Sequence, residues 1–215
     1  WRKLGIEPGA VVGHSQGEIA AAVVSGALSL EDGARLVAVR SQQVKRLAGS
    51  GGMAVVERPA EEIEARLKAD WSGLSVAVVN TATSTVVAGD VEQLEAFVAR
   101  LSSEGTFCRR VEVDYASHCA HVEPILGALH EQLAGLVPRN GVIPMVSTVT
   151  GAVLEGTALD AGYWCRNLRE PVRLDRALET LRAAGHEVVV EMSAHPVLAM
   201  ALNTTSAAGV VVGSL

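Results

Sequence analysis

A chain of 215 residues that is 49% hydrophobic with a net charge of −6 can bury one or two cores, which excludes the disordered and fibrous classes. No stretch approaches about 20 consecutive apolar residues free of charge, and no basic flank with an apolar run opens the chain; neither a membrane span nor a secretory signal is expected, and the expected compartment is the cytoplasm. Lys and Arg are scattered, leaving no footprint for nucleic acid, and three cysteines without C-x-x-C spacing (Cys108, Cys119, Cys165) read as reduced thiols rather than a disulfide framework or a metal site.

The opening WRKLGIEPG reads as the end of a helix feeding a strand already inside a domain, so the chain is expected to be a piece of something longer. Residues 9–13 form a short apolar strand, and EIAAAVVSG follows as a helix closed by Gly26. Between them lies GHSQG, residues 13–17. A serine at a sharp strand-to-helix elbow projects its hydroxyl, and glycines leave room for the crowded backbone, so Ser15 is a candidate nucleophile. Ser29 with Asp32 resembles a capped helix start, and the helix that follows places Leu30, Ala34, Val37 and Val44 near a 3.6 period with Arg40 on or beside that face.

The period then changes. MAVVE, a helix opened by Pro59, LSVAVVN, STVVAGD, the helix VEQLEAFVARLSS and TFCRRVEV give the order βαββαβ, the signature of a ferredoxin-like unit. We therefore expect an α/β protein in two parts: a hydrolase-like large subdomain with a mostly parallel sheet over residues 1–51 and 114–215, and an inserted small subdomain over 52–113. In the later part of the large subdomain, helices are expected around 120–135, at LDRALETLRAAG and from Pro196, with strands at IPMVS, EVVVEM and VVVGS.

A serine hydroxyl needs a base to take its proton. Of six histidines, His130 and His186 read as surface residues and His121 as structural or at a rim, whereas His118 (in VDYASH) and His195 (in SAHP) follow strands where active-site loops gather. Spacing alone leaves both open. The order serine, acid, histidine of α/β-hydrolases selects His195 with Asp160 or Glu191 and describes a thioesterase or esterase; His118 implies a different enzyme.

GHSQGEIAAAVVSGALSLEDGARLVAVRSQ, VDYASH, YWCRNLREPVRL and EMSAHPVL, in that order along the chain, resemble the acyltransferase domains of modular polyketide synthases, relatives of malonyl-CoA:acyl-carrier-protein transacylases. The resemblance implies Ser15 as the nucleophile that takes an acyl group from coenzyme A and His118 as its base, in a dyad oriented by a backbone carbonyl. It implies Arg40 as the holder of the substrate carboxylate and the Gln16 backbone N–H as an oxyanion donor, and it returns His195 to a structural role. YASH, with Tyr115, Ala116 and Ser117 as specificity positions, and the glutamine of GHSQG resemble the methylmalonyl type; HAFH goes with malonyl. The implied partners are an acyl carrier protein with its phosphopantetheine, neighbouring synthase domains and an acyl-CoA, with no permanently bound cofactor. A malonyl-specific enzyme is one alternative; an inactive fragment is another, because the family's GQG segment, which supplies a second oxyanion donor, has no counterpart before Trp1.

Overall fold

A computed structural model describes residues 1–203 and 209–214. β1 (Val11–Val12) runs through the elbow into α1 (Gly17–Ser25), which ends at Gly26 in the left-handed region (φ 87°), where a side chain would be strained. α2 (Leu30–Val44) begins at Ser29, whose side chain accepts a hydrogen bond from the Asp32 N–H as the capping pattern requires. The buried face of α2 is Gly33, Leu36, Arg40 and Gln43, so the expected stripe is rotated: Leu30 is exposed, Val37 and Val44 flank the core, and Arg40 lies at the centre of the buried face.

The next elements are β2 (Gly52–Val56), α3 (Ala60–Asp70), β3 (Leu74–Thr81), β4 (Ser84–Gly89), α4 (Val91–Ser103) and β5 (Cys108–Arg110). Their strands pair antiparallel in the order β5-β2-β4-β3, which is the ferredoxin-like arrangement, with Ile63, Leu67, Leu94, Phe97 and Leu101 of the two helices packed on the sheet. The connection between β3 and β4 is two residues long.

α5 (Glu123–Leu133) is followed by β6 (Met145–Val146), β7 (Val153–Leu154), α6 (Ala161–Arg169), β8 (Val172–Arg173), α7 (Leu174–Ala183), β9 (Val188–Glu191), α8 (Ala199–Leu202) and β10 (Val210–Gly213). Within this part β1 pairs parallel with β6 and β9 with β10, while β7 returns antiparallel to β6. One core joins α1, α2, α5 and α6 around Ile19, Leu36, Leu129 and Trp164, and a second places β6, β10 and α7 in contact through Val146, Val211 and Leu178. The protein is thus an α/β fold with a hydrolase-like part and a ferredoxin-like part. Among the described residues no helix is long and apolar enough to cross a membrane.

Three elements escape the sequence pattern: β7, α6 and β8. β8 pairs in parallel with β3 through Val78 and Val79, so the segment that leaves α6 is stitched to the small sheet. The C-terminal half of α6 meets the elbow through Asn167, whose Nδ2 lies 3.3 Å from the Ser15 carbonyl oxygen.

Candidate active site

The elbow is tight. Ser15 has φ 54°, a left-handed conformation that a non-glycine residue adopts only when its surroundings hold it there. A Cβ added at Gly13 would run into the Glu18 backbone, so only glycine fits, whereas one added at Gly17 would meet nothing within 4 Å. Only the first glycine of the motif is sterically obligatory.

Ser15 and His118 meet across 103 residues of chain, with Ser15 Oγ 2.7 Å from His118 Nε2. His118 is buried, also at positive φ (60°), and its backbone N–H donates to the Leu168 carbonyl at 2.9 Å. Its Nδ1 lies 3.0 Å from the Glu170 carbonyl oxygen. A carbonyl only accepts, so Nδ1 carries the proton and Nε2 presents its lone pair to the serine hydroxyl. Glu170 is where α6 stops, one residue before Pro171, and a carbonyl past the helix end has no intrahelical donor to satisfy it. Burial, the Arg40 charge and the neighbouring His14 push the His118 pKa down to about 3, which keeps the ring neutral at neutral pH.

Arg40 is the third member. Its Nη2 donates to Ser15 Oγ at 3.2 Å and its Nη1 to Asn167 Oδ1 at 2.5 Å. Burial lowers its pKa to about 10, so it remains a cation, and among the described residues no carboxylate lies within 4 Å of its guanidinium. A buried cation held only by neutral oxygens at the floor of an open cleft is a ready partner for an anion.

The cleft has a volume of about 610 Å³, and Ser15, Gln16, Arg40, Lys45, Tyr115 and Ser117 are among its lining residues. The positions expected to set specificity, Tyr115, Ala116, Ser117 and Gln16, part company here. Tyr115 and Ser117 face the cleft, with Ser117 Oγ 3.4 Å from Met53 Sδ behind it, while Ala116 is fully buried in the core that includes Met53 and Val172. Gln16 is exposed at the start of α1. His14 bonds Asn80 of β3 at 3.0 Å, tying the elbow to the small sheet, and desolvation lowers its pKa.

The structure does not bring His195 to the serine. It is exposed in the loop after β9, with its carbonyl receiving the Ser193 hydroxyl, and it does not line the cleft. Asp160 caps α6 through the Tyr163 N–H, and Glu191 accepts from the Leu198 and Ala199 N–H groups. His130 is exposed, His186 packs beside Gly9, and His121 lies 3.3 Å from an oxygen of Asp90.

Two polar residues of the site were not singled out from sequence: Asn167, which contacts Arg40, and Glu18, fully buried beneath the elbow. The signal for α6 was present in Asp160 as a cap and in the three-and-four spacing of Ala161, Trp164 and Leu168. Among the described residues no cluster of three or more His, Cys, Asp or Glu is arranged to hold a metal ion.

A strand–elbow–helix bearing a serine, set in a hydrolase-like fold with a ferredoxin-like unit, defines a class of α/β proteins, and comparison with known proteins narrows it. The chain belongs to the acyl transferase domain family, which it matches over residues 1–214. It is 51% identical to the spectinabilin polyketide synthase system protein NorC of Streptomyces orinoci and 54% identical to polyketide synthase GfsE of Streptomyces halstedii, over 100% and 94% of its own length. These stretches are 10% and 5% of the relatives, so the chain spans a small part of them. Among solved structures it superposes with a TM-score of 0.96 on the acyltransferase domain from module 8 of the salinomycin polyketide synthase, at 46% identity, covering all of this chain and 52% of that one. The malonyl CoA-acyl carrier protein transacylase of Coxiella burnetii is more distant, at 25% identity and a TM-score of 0.91 over 99% of this chain and 70% of that one.

Proposed function

We propose that this chain is the acyl-transfer part of a polyketide synthase, which moves a methylmalonyl extender unit from coenzyme A to Ser15 and then to the phosphopantetheine thiol of an acyl carrier protein. The observation that carries this reading is the contact of Ser15 Oγ at once with the lone-pair nitrogen of His118 and with the guanidinium of Arg40. His118 Nε2 takes the hydroxyl proton as Ser15 Oγ attacks the thioester carbonyl, and the Gln16 backbone N–H stabilises the developing oxyanion. When the tetrahedral species collapses, the carbon–sulfur bond breaks and the proton on Nε2 goes to the departing coenzyme A thiolate. In the second half His118 takes the proton of the incoming pantetheine thiol. The sulfur attacks the acyl-serine, and the proton returns to Ser15.

The Glu170 carbonyl holds the ring in the required tautomer without putting a second negative charge in the site. Arg40 receives the free carboxylate of the extender in two parallel hydrogen bonds, which anchors the acyl group and favours a dicarboxylic substrate over a simple acyl chain. Ser117 and Tyr115 border the place for the α-substituent. Met53 closes the side behind Ser117, so a phenylalanine there would take up cleft space that a serine leaves open, in keeping with the YASH and Gln16 resemblance to methylmalonyl enzymes. One methyl group is worth about 1–3 kcal/mol in such a pocket.

Intact-protein mass spectrometry after brief mixing with methylmalonyl-CoA, malonyl-CoA or acetyl-CoA tests the reading. The expected result is a methylmalonyl adduct that Ser15→Ala abolishes; dominance of the malonyl adduct overturns the extender choice, and absence of any adduct overturns the acyl-transfer reading.

A further inference from the structure

Beneath the elbow lies a carboxylate that the acyl-transfer steps leave unused. Glu18, in the first turn of α1, is fully buried. Its Oε1 accepts from the Thr148 backbone N–H, with the Thr148 hydroxyl 2.7 Å away, and its Oε2 accepts from the Tyr163 hydroxyl at 2.5 Å and from Asn167 Nδ2 at 2.9 Å. Burial raises the Glu18 pKa, and these hydrogen bonds oppose the rise.

The polarity of this chain of contacts is fixed from both ends. A guanidinium only donates, so the atom of Asn167 that faces Arg40 must be Oδ1. The amide nitrogen then points to the other side, where it needs an acceptor, and Glu18 Oε2 is there. The same nitrogen also lies 3.3 Å from the Ser15 carbonyl oxygen, so the amide touches elbow, acid and arginine together. Were Oε2 replaced by an amide N–H₂, two donors would face each other; relieving that by turning the Asn167 amide over sets its nitrogen against Arg40. The turned amide removes the strong acceptor that holds Nη1, and the unturned one is pushed from its place by the two facing donors, so the hold on Nη1 weakens in both.

We propose that Glu18 is a positioning residue for Arg40: by fixing the orientation of the Asn167 amide, it locks the guanidinium beside Ser15 where the acyl carboxylate is received. This rests on the acyl-transfer reading above and adds to it a determinant of the preference for carboxylated acyl groups, located on the far side of the elbow from the cleft. The carboxylate does not touch the substrate and takes no proton in the reaction. Its effect is on which donor is loaded.

The test compares loading of Ser15 by methylmalonyl-CoA and by propionyl-CoA, which differ only in the free carboxylate, in the full chain. Glu18→Gln is expected to lower the ratio of the two loading rates by roughly 10- to 100-fold, the range for losing a hydrogen bond to a charged group. In an Arg40→Met background it is expected to leave the ratio where Arg40→Met put it. Thermal melts of each variant accompany the rates, and Asn167→Ser, which removes the relay and leaves the Glu18 carboxylate in place, gives the same fall in the ratio should Glu18→Gln not fold. Equal loss of both donors in Glu18→Gln or Asn167→Ser, or a ratio change that persists without Arg40, overturns the positioning role. Failure of the unsubstituted protein to load any donor overturns instead the reading on which it rests.

Discussion

Replacing Arg40 by Met separates function from stability at one position. Arg40 is 6% exposed and its pKa is lowered from 12.5 to about 10, mainly by desolvation. A depression of that size corresponds to roughly 3 kcal/mol of unfavourable environment for the cation. Arg40→Met, close in length and unbranched, removes that cost but leaves Asn167 Oδ1 without its donor, worth about 1–3 kcal/mol in the other direction. Ser15 Oγ borders the cleft, where water replaces the lost contact. The balance is a variant whose unfolding free energy is unchanged or up to about 2 kcal/mol higher, even though a buried, hydrogen-bonded residue has been lost. Loading from methylmalonyl-CoA moves the opposite way. Two charge-assisted hydrogen bonds of about 1.5–3 kcal/mol each give a fall on the order of 10²–10⁴ in kcat/KM, with little change for propionyl-CoA. The assays are urea unfolding and single-turnover loading read by mass spectrometry. A variant that loses several kcal/mol of stability while loading methylmalonyl at the normal rate would refute the reasoning and make Arg40 a structural residue.

Further predictions follow from neighbouring residues. The two glycines of the elbow should respond oppositely: Gly13→Ala drives a Cβ into the backbone at Glu18 and should prevent a soluble folded product, while Gly17→Ala meets open space and should be neutral or stabilising by up to about 1 kcal/mol in a thermal melt. Because the folded-state pKa of His118 is depressed from 6.5 to about 3, loading should stay flat from pH 8 down to about pH 5 rather than fall near 6.5, and a midpoint near 6.5 would contradict the assigned environment. The same depression means that the unfolded chain binds the extra proton first. Stability from this group is therefore full above pH 6.5 and lost as pH falls toward 3, at about 1.4 kcal/mol per pH unit, so the wild type should lose about 2 kcal/mol more than His118→Asn between pH 6.5 and 5 in denaturant titrations. Ser117→Phe should shift the methylmalonyl to malonyl loading ratio by about 10- to 100-fold toward malonyl and cost about 1–3 kcal/mol of stability as Met53 gives way; an unchanged ratio would remove Ser117 from the pocket wall.

What could be read in the sequence was what depends on local rules. The Ser29 cap, the Gly26 stop and the βαββαβ order each follow from a residue's own conformational preference or from a repeat of two or 3.6, and they are present as expected. The sequence puts Arg40 on or beside the apolar face of α2, but the rotation of that face away from Leu30, with Arg40 at its centre, depends on partners on α6 and at the elbow that lie 127 and 25 residues away. Residue spacing could not choose between His118 and His195, since both follow strands; the distance to Ser15 depends on how β8 pins the end of α6 to β3, a pairing across some 94 residues with no sequence pattern of its own. Glu18 was passed over for a related reason. An acidic residue in the first helical turn reads as an ordinary dipole partner, and only the packing of Tyr163, Thr148 and Asn167 around it turns it into a buried network.

The central claim is that Ser15 and His118 together carry an acyl group from one thiol to another. The most direct measurement is rapid-quench mass spectrometry of the wild type, Ser15→Ala and His118→Ala with methylmalonyl-CoA, followed by a chase with pantetheine. The account predicts an adduct confined to Ser15, formed at least about 10²-fold more slowly without His118 and discharged to pantetheine as a thioester. An adduct that survives Ser15→Ala, a loading rate indifferent to His118, or discharge mainly to the free acid would contradict it.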